Sequence, residues 1–236
     1  MRLENVEALI FDLDETLIDA QQGLAAAHDH VTAALQEFLA QRKVEIGTRE
    51  LREMVERFDD EMNRELKYNR DSWWQEFVGK IAPRVKLPND MIPKLTDAYW
   101  TAYEEAAVPY PDTFETLLYL SKKDYSLGLV SDTDGEIGRK AGRISRLQFS
   151  EIFDVCIIGG DETTELKSTG LPFLLAADRL GISPRACVVI GDKPFTDIAG
   201  GKRVGMRTIL VVRRRWETDI ESDYEVTSLA ELRSLL

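Results

Sequence analysis

The chain has 236 residues, 44% hydrophobic and 31% charged, enough to bury one large domain or a core with a smaller insert. Asp and Glu number 42 against 30 Lys and Arg, a formal charge of −12, which argues against sequence-independent binding of nucleic acid. No apolar run reaches the ~18 residues of a bilayer span, and the opening MRLENVEALIFDLDETL lacks the basic and apolar regions of a secretory signal, so the expectation is a soluble cytoplasmic protein.

In chain order, the first strand-like run is Ala8-Leu9-Ile10-Phe11. From about Asp19 to Val108 helical periodicity replaces it. Leu24, Ala27, Val31, Leu35 and Phe38 share one helical face, and Leu51, Val55, Phe58 and Met62 share another. Ser72 with Gln75 reads as a capping box opening a third helix, with Trp73, Trp74, Phe77, Val78 and Ile81 as its apolar content. Asn89-Asp90 opens a fourth, carrying Leu95, Ala98, Tyr99 and Ala102. Val108-Pro109-Tyr110-Pro111 then reads as a return hinge stiffened by its prolines.

Four more apolar runs follow: Leu127–Val130, Val155–Ile158, Ala186–Ile190 and Thr208–Val212. Near-continuous apolar character marks strands covered on both faces. The helix-length segments between them, such as Leu171–Leu180 stopped by Gly181, complete a strand–helix alternation. The expected fold is therefore α/β: a doubly wound, mainly parallel, Rossmann-like sheet, with a helical bundle inserted after strand 1. Residues 1–18 and 109–236 would form the core and 19–108 the insert. The basic run Arg213-Arg214-Arg215 reads as a solvated loop rather than a nucleic-acid patch.

Composition narrows the chemistry as well. The two histidines, His28 and His30, are two apart in a helix and share no face. Cys156 and Cys187 lie in strand-like runs, form no disulfide framework, and neither opens a Cys-x5-Arg loop. No GxGxxG or GxxxxGK(S/T) occurs. What remains is carboxylate chemistry. Ligands of open parallel sheets bind beyond the carboxyl ends of the strands. There the strand-like runs deliver Asp12 and Asp14, then Ser131 and Asp132, then Asp161 and Lys167, then Asp192 and Asp197. Each alone is as readily a turn or cap residue. Converging acids need a counter-charge, and an all-oxygen set suits Mg²⁺.

Phe-Asp-Leu-Asp-Glu-Thr-Leu (11–17) resembles the DxDx(T/V) first motif of the haloacid dehalogenase-like (HAD) hydrolases. Leu-Val-Ser131-Asp is similar to their second motif, Lys167 stands at the spacing of the third before Asp192, and Gly191-Asp192-Lys-Pro-Phe-Thr-Asp197 reproduces the GDxxxxD fourth. The resemblance covers the core; the insert matches in position and helical character. Two departures stand out. Lys167 is followed by Ser-Thr-Gly where Pro-x-Pro is usual, which leaves Lys193 as a nearby substitute, and Asp132 replaces the usual amide.

The resemblance implies a Mg²⁺-dependent phosphatase of small phosphorylated metabolites. Asp12 would be the nucleophile and Asp14 the general acid/base. Asp12, Asp14 through its backbone carbonyl, and Asp192 would hold the metal, with Asp197 orienting its neighbours. Ser131, Asp132 and Lys167 would form the phosphate site. Members that act as dehalogenases or phosphonate hydrolases lack the second Asp, so Asp14 favours phosphate esters or anhydrides. The insert would be a cap, with Lys67, Tyr68, Arg70, Trp73 and Trp74 as candidate substrate readers beside the plainer reading that both tryptophans are core. A phosphomutase and a non-catalytic phospho-accepting or partner-binding module are the alternatives. No nucleic-acid or membrane partner is expected, and monomer and homodimer stay equally open.

Overall fold

A computed structural model describes residues 3–236. Among them a single sheet of six parallel strands has the order β3-β2-β1-β4-β5-β6. The strands are β1 (Ala8–Phe11), β2 (Ser126–Asp132), β3 (Val155–Gly159), β4 (Cys187–Gly191), β5 (Arg207–Val211) and β6 (Tyr224–Val226). Five match the expected runs to within one or two residues at either end. The sixth is three residues long and sits at the sheet edge beyond β5. An edge strand of that length has no continuous apolar run to betray it.

The strands read as apolar because the core is two-sided. On one face Ala8, Ile10, Val130, Ile157 and Val189 pack with Phe173, Ala176 and Ala177 of helix α7. Leu9 and Phe11 alternate to the other face, equally buried, and Phe11 meets Phe153 edge to face with centroids 6.3 Å apart. Burying such side chains contributes roughly 1.5–3 kcal/mol each. The chain divides into two compact units, one holding the residues up to Asp19 with Pro109–Leu236, the other Ala20–Val108. The helices of the sheet unit are α5 (Thr113–Ser121), α6 (Arg139–Ser145), α7 (Leu171–Leu180), α8 (Ala199–Arg203) and α9 (Leu232–Leu235).

The helical unit consists of α1 (Ala20–Ala40), α2 (Thr48–Arg64), α3 (Asp71–Ile81) and α4 (Met91–Ala106). Its buried residues on α1 and α2 follow the expected faces, with Leu24 half-buried. Gly23 lets α1 and α4 approach closely, since a Cβ there would press on Ala107 and Tyr103. The expected capping box does not form. Ser72 lies inside α3 and donates its hydroxyl to the Asn69 carbonyl at 2.7 Å, while Gln75 Oε1 accepts from the Leu87 backbone at 2.9 Å. A capping box closes instead between Ser228 and Glu231. No helix among the described residues is long and apolar enough to cross a membrane.

Candidate active site

The strand order places a switch point between β1 and β4: from β1 the chain builds outward to β2 and β3, then crosses back to β4. Loops beyond the carboxyl ends of strands on either side of such a point diverge and leave a crevice. Phe11 of β1 is level with Leu129 of β2 and Ile190 of β4. Asp12, one residue on, is therefore flanked by Ser131 and Asp192, each one step further along its own strand. The Asp12 amide donates to the Ile190 carbonyl at 2.9 Å, fixing that level.

Asp12 is 2% exposed. Thr16, in the turn that follows, donates its hydroxyl to Asp12 Oδ2 at 3.1 Å, and Lys167 Nζ donates to Asp12 Oδ1. The same Lys167 nitrogen stands 2.7 Å from Asp197 Oδ1. Burial pushes the Asp12 carboxyl above its usual range, opposed by Lys167 and reinforced by Asp197. Burial would lower the Lys167 ammonium, but Asp12, Asp197 and Asp132 together hold it well above its usual value, so the amine stays charged.

The Lys167 loop explains both departures from the family pattern. Lys-Ser-Thr folds as a single 3-10 turn closed by Gly170 at φ 87°, a left-handed position that suits glycine. Asp132 Oδ1 accepts the Lys167 backbone N–H at 2.8 Å. Its carboxylate is thus turned onto the lysine loop, against the bare Cα of Gly159. Asp132, expected among the phosphate-binding residues, anchors the backbone of Lys167, another residue expected there. On the other side the Lys167 carbonyl rests on Gly200 of α8, where any Cβ would collide with it. Lys167 Nζ is the amine that hydrogen-bonds Asp12. Burial would lower the Lys193 ammonium, but the charges of Asp192 and Asp12 hold it above its usual value, and the Lys193 backbone N–H donates to Asp197 Oδ2 at 3.0 Å.

Asp192 follows β4, 1% exposed. Among the described residues neither of its carboxylate oxygens has a hydrogen-bond partner. Burial drives its carboxyl well above the usual range, with Lys193 opposing and Asp12 and Asp197 adding to the rise. Asp197 comes from a π-helical turn over Pro194–Ile198, and its side chain packs onto Gly191, where a Cβ would overlap it. Carboxylate oxygens of Asp12, Asp192 and Asp197 lie within 4.8 Å of one another. Three buried acids at that spacing, one with both oxygens unpartnered, fit a hard divalent cation held by oxygen ligands. The side chain of Asp14 is not among them.

Asp14 instead faces α6. Its Oδ2 accepts from Lys140 Nζ at 2.6 Å, and Arg143 donates from both terminal nitrogens, each at 2.9 Å. Burial would raise its carboxyl, but Arg143 and Lys140 outweigh that and hold it well below the usual range. Asp134 meets the same two cations at 2.8 and 3.0 Å. Asp134, Lys140 and Arg143 were not legible as site residues. Their one signal was the i,i+3 spacing of two cations in a short segment following the second motif.

Other expectations resolve locally. Asp161, after β3, accepts from the Thr133 hydroxyl and the Gly138 amide, tying down the loop after β2. Arg213 is not simply solvated: its guanidinium lies 3.7 Å from the Tyr110 ring centroid, while Arg214 stacks on Trp216, whose indole donates to the Asp192 carbonyl at 2.9 Å. In the helical unit Trp73 and Trp74 are 1% and 2% exposed, and Arg70 lies among the rings of Trp73, Tyr99 and Trp100. All three belong to that unit's core.

Comparison with known proteins agrees with this geometry. Residues 9–211 match the model of the family described as haloacid dehalogenase-like hydrolase. Phosphoglycolate phosphatase of Salmonella typhimurium is 31% identical over 215 residues, 88% of this chain and 82% of that protein. Glyceraldehyde 3-phosphate phosphatase of Methanopyrus kandleri is 27% identical, covering 96% of this chain and 95% of its own. The crystal structure of a HAD phosphatase from Thermococcus onnurineus superposes with a TM-score of 0.69 at 28% identity, over 97% of both chains. The chain belongs to the haloacid dehalogenase-like hydrolases and, within them, to the phosphatase type.

Proposed function

We propose that this chain is a Mg²⁺-dependent phosphatase of small phosphorylated metabolites, working in the cytoplasm through an aspartyl-phosphate on Asp12. The observation that carries the reading is the pairing of a buried Asp12, gripped by Lys167, with a buried Asp192 whose oxygens have no hydrogen-bond partner among the described residues. Nucleophile, cation ligand and phosphate-binding amine thus meet at one strand-end crevice. The relatives named above act, by their names, on phosphoglycolate and glyceraldehyde 3-phosphate, both small organic phosphates.

Asp12 and Asp192 would hold the metal, with the Asp14 backbone carbonyl as a further oxygen. Mg²⁺, when bound, supplies positive charge against the acids and the phosphoryl oxygens. Asp12 Oδ attacks phosphorus in line as the ester P–O bond breaks, and Lys167 and the Ser131 hydroxyl stabilise the equatorial oxygens. Asp14 would give a proton to the leaving alkoxide, which requires it to be released from the Lys140 and Arg143 contacts that hold it ionised in this arrangement. It then takes one from the water that attacks phosphorus, releasing inorganic phosphate and restoring the Asp12 carboxylate. Asp197 holds Lys167 in register.

The helical unit would act as the cap that excludes water during the reaction. Its entry and exit are tied to the turn after Asp14: the Tyr110 amide and the Thr113 hydroxyl both donate to the Leu17 carbonyl, at 3.1 and 2.7 Å.

The test is phosphate release from a panel of phosphomonoesters with Mg²⁺, with EDTA and Asp12→Asn as controls. Metal-dependent release that Asp12→Asn lowers by at least roughly a thousandfold is the expected result. No release from any ester by protein shown to bind Mg²⁺ would overturn the reading.

A further inference from the structure

The loop that follows β5, residues 212–216, reaches the backbone beside both acids of the crevice. Trp216 Nε1 donates to the Asp192 carbonyl at 2.9 Å. Earlier on the same loop, Arg213 donates from a terminal nitrogen to the Thr16 carbonyl at 3.3 Å. The Thr16 hydroxyl in turn donates to Asp12 Oδ2 at 3.1 Å.

The strand ends make such ties necessary. β5 stops at Val211, and the pairing of Gly191 with Leu210 sets Val211 level with Asp192. Beyond that point the Val212 N–H goes to the Val226 carbonyl of β6 at 2.8 Å, and the Arg213 N–H turns back to the Val211 carbonyl at 2.9 Å. Both backbone donors are spent, and the Trp216 indole supplies a donor where the ladder has run out. Asp192 has no hydrogen bond to its carboxylate among the described residues, so its direction depends on how firmly its backbone is held.

The two donors are themselves fixed. The Trp216 ring meets Phe195 edge to face with centroids 5.7 Å apart, and the Arg214 guanidinium lies 3.7 Å from its centroid. Phe195 is 47% exposed on the π-helical turn that carries Asp197, and this contact accounts for a large apolar side chain there. Arg213 stacks on Tyr110 and has Asp112 Oδ1 at 3.8 Å.

We infer that Trp216 and Arg213 are positioning residues of the cation site, holding the Asp192 and Thr16 backbones so that the Asp192 and Asp12 carboxylates converge on one divalent cation. The inference rests on the reading of those two acids as cation ligands, and it concerns binding rather than turnover. Mg²⁺ demands near-ideal ligand placement, and residues behind the ligands tune its affinity.

Charge and geometry act with opposite sign at Arg213. Removing a guanidinium near a cation site lessens repulsion and would tighten binding, whereas losing the tie to Thr16 weakens it. The test is calorimetric titration of Mg²⁺ into the metal-stripped full chain at pH 7.5, without substrate. It is run where circular dichroism shows each variant folded, so that a loss of stability alone does not move the affinity. Trp216→Phe keeps the ring and removes the N–H; Arg213→Gln removes the guanidinium. Each is expected to raise the Mg²⁺ Kd roughly three- to tenfold. Arg215→Gln, on the same loop but exposed, is expected to stay within about twofold.

Unchanged affinity in Trp216→Phe, or unchanged or tighter binding in Arg213→Gln, overturns the role of that residue, and an equal loss in Arg215→Gln overturns both. If Asp192→Asn binds Mg²⁺ as the intact protein does, the cation lies elsewhere and the inference fails. Protein that binds Mg²⁺ through Asp192 but releases phosphate from no ester overturns the phosphatase reading alone.

Discussion

Asp132 shows how one side chain is read differently once its neighbours are known. In the sequence it is an acid where an amide is usual, beside a lysine that lacks its usual prolines. In the fold the two departures answer each other, because Asp132 Oδ1 takes the Lys167 N–H and holds the turn that prolines would otherwise stiffen. Two substitutions separate charge from hydrogen bonding. Asp132→Asn keeps an acceptor at the same place and is expected to preserve stability and KM. Asp132→Ala leaves the buried Lys167 N–H unpaired, costing about 1–3 kcal/mol and raising KM as the amine loses its fixed position. Urea unfolding with steady-state kinetics measures both; equal behaviour of the two variants would mean that the anchor is dispensable.

Elements carry their own polar interiors, and the helical unit has a marked one. Asp59 of α2 is 3% exposed and accepts from Tyr99 of α4 at 2.6 Å, with His28 of α1 2.9 Å away. It also takes the Asn63 amide. Burial would raise its carboxyl, but the bond to His28 and the charge of Arg70 outweigh this, leaving it below its ordinary value of 3.8. A carboxyl lowered by folding stabilises the folded state at pH above its unfolded value, and that stabilisation disappears as pH falls through the lower folded value. The stability gap between the intact protein and Asp59→Asn is therefore expected to begin closing as pH falls below 3.8. Denaturant titrations from pH 7 to pH 3 measure it, and a gap unchanged down to pH 3 would count against the network. Helical periodicity placed α1, α2 and α4 correctly, but could not show that their faces meet at an acid. The periodic signal weighs apolar positions only.

The whole molecule concentrates acid at its crevice, and this has a consequence for its stability. Burial raises Asp12 and Asp192 above the ordinary 3.8. Carboxyls raised by folding stabilise the folded state below the unfolded value and lose that contribution as pH rises through the folded one, so without a divalent cation the site costs stability at neutral pH. A bound divalent cation would take the proton's place there. Mg²⁺ is expected to raise the thermal midpoint by several degrees at pH 7.5 and by much less at pH 4.5, where protons compete. Asp192→Asn should remove most of the difference. A shift of equal size at both pH values, or one that survives in Asp192→Asn, would place cation binding elsewhere.

Strand runs, the order of the motifs and the bare glycines were set down in the sequence, because a two-sided parallel sheet demands apolar strands and close backbone approach demands Gly191 and Gly200. Asp12, Lys167 and Asp192 were legible for the same reason: each follows directly on a strand or a tight turn. Only the tertiary structure decided where flexible side chains point. Asp132 could as well have met the substrate, and the partners of Asp14 lie more than a hundred residues away on α6. Contacts of that kind depend on the order of strands in the sheet and on which face of a short helix turns inward. Neither is encoded in local periodicity or spacing.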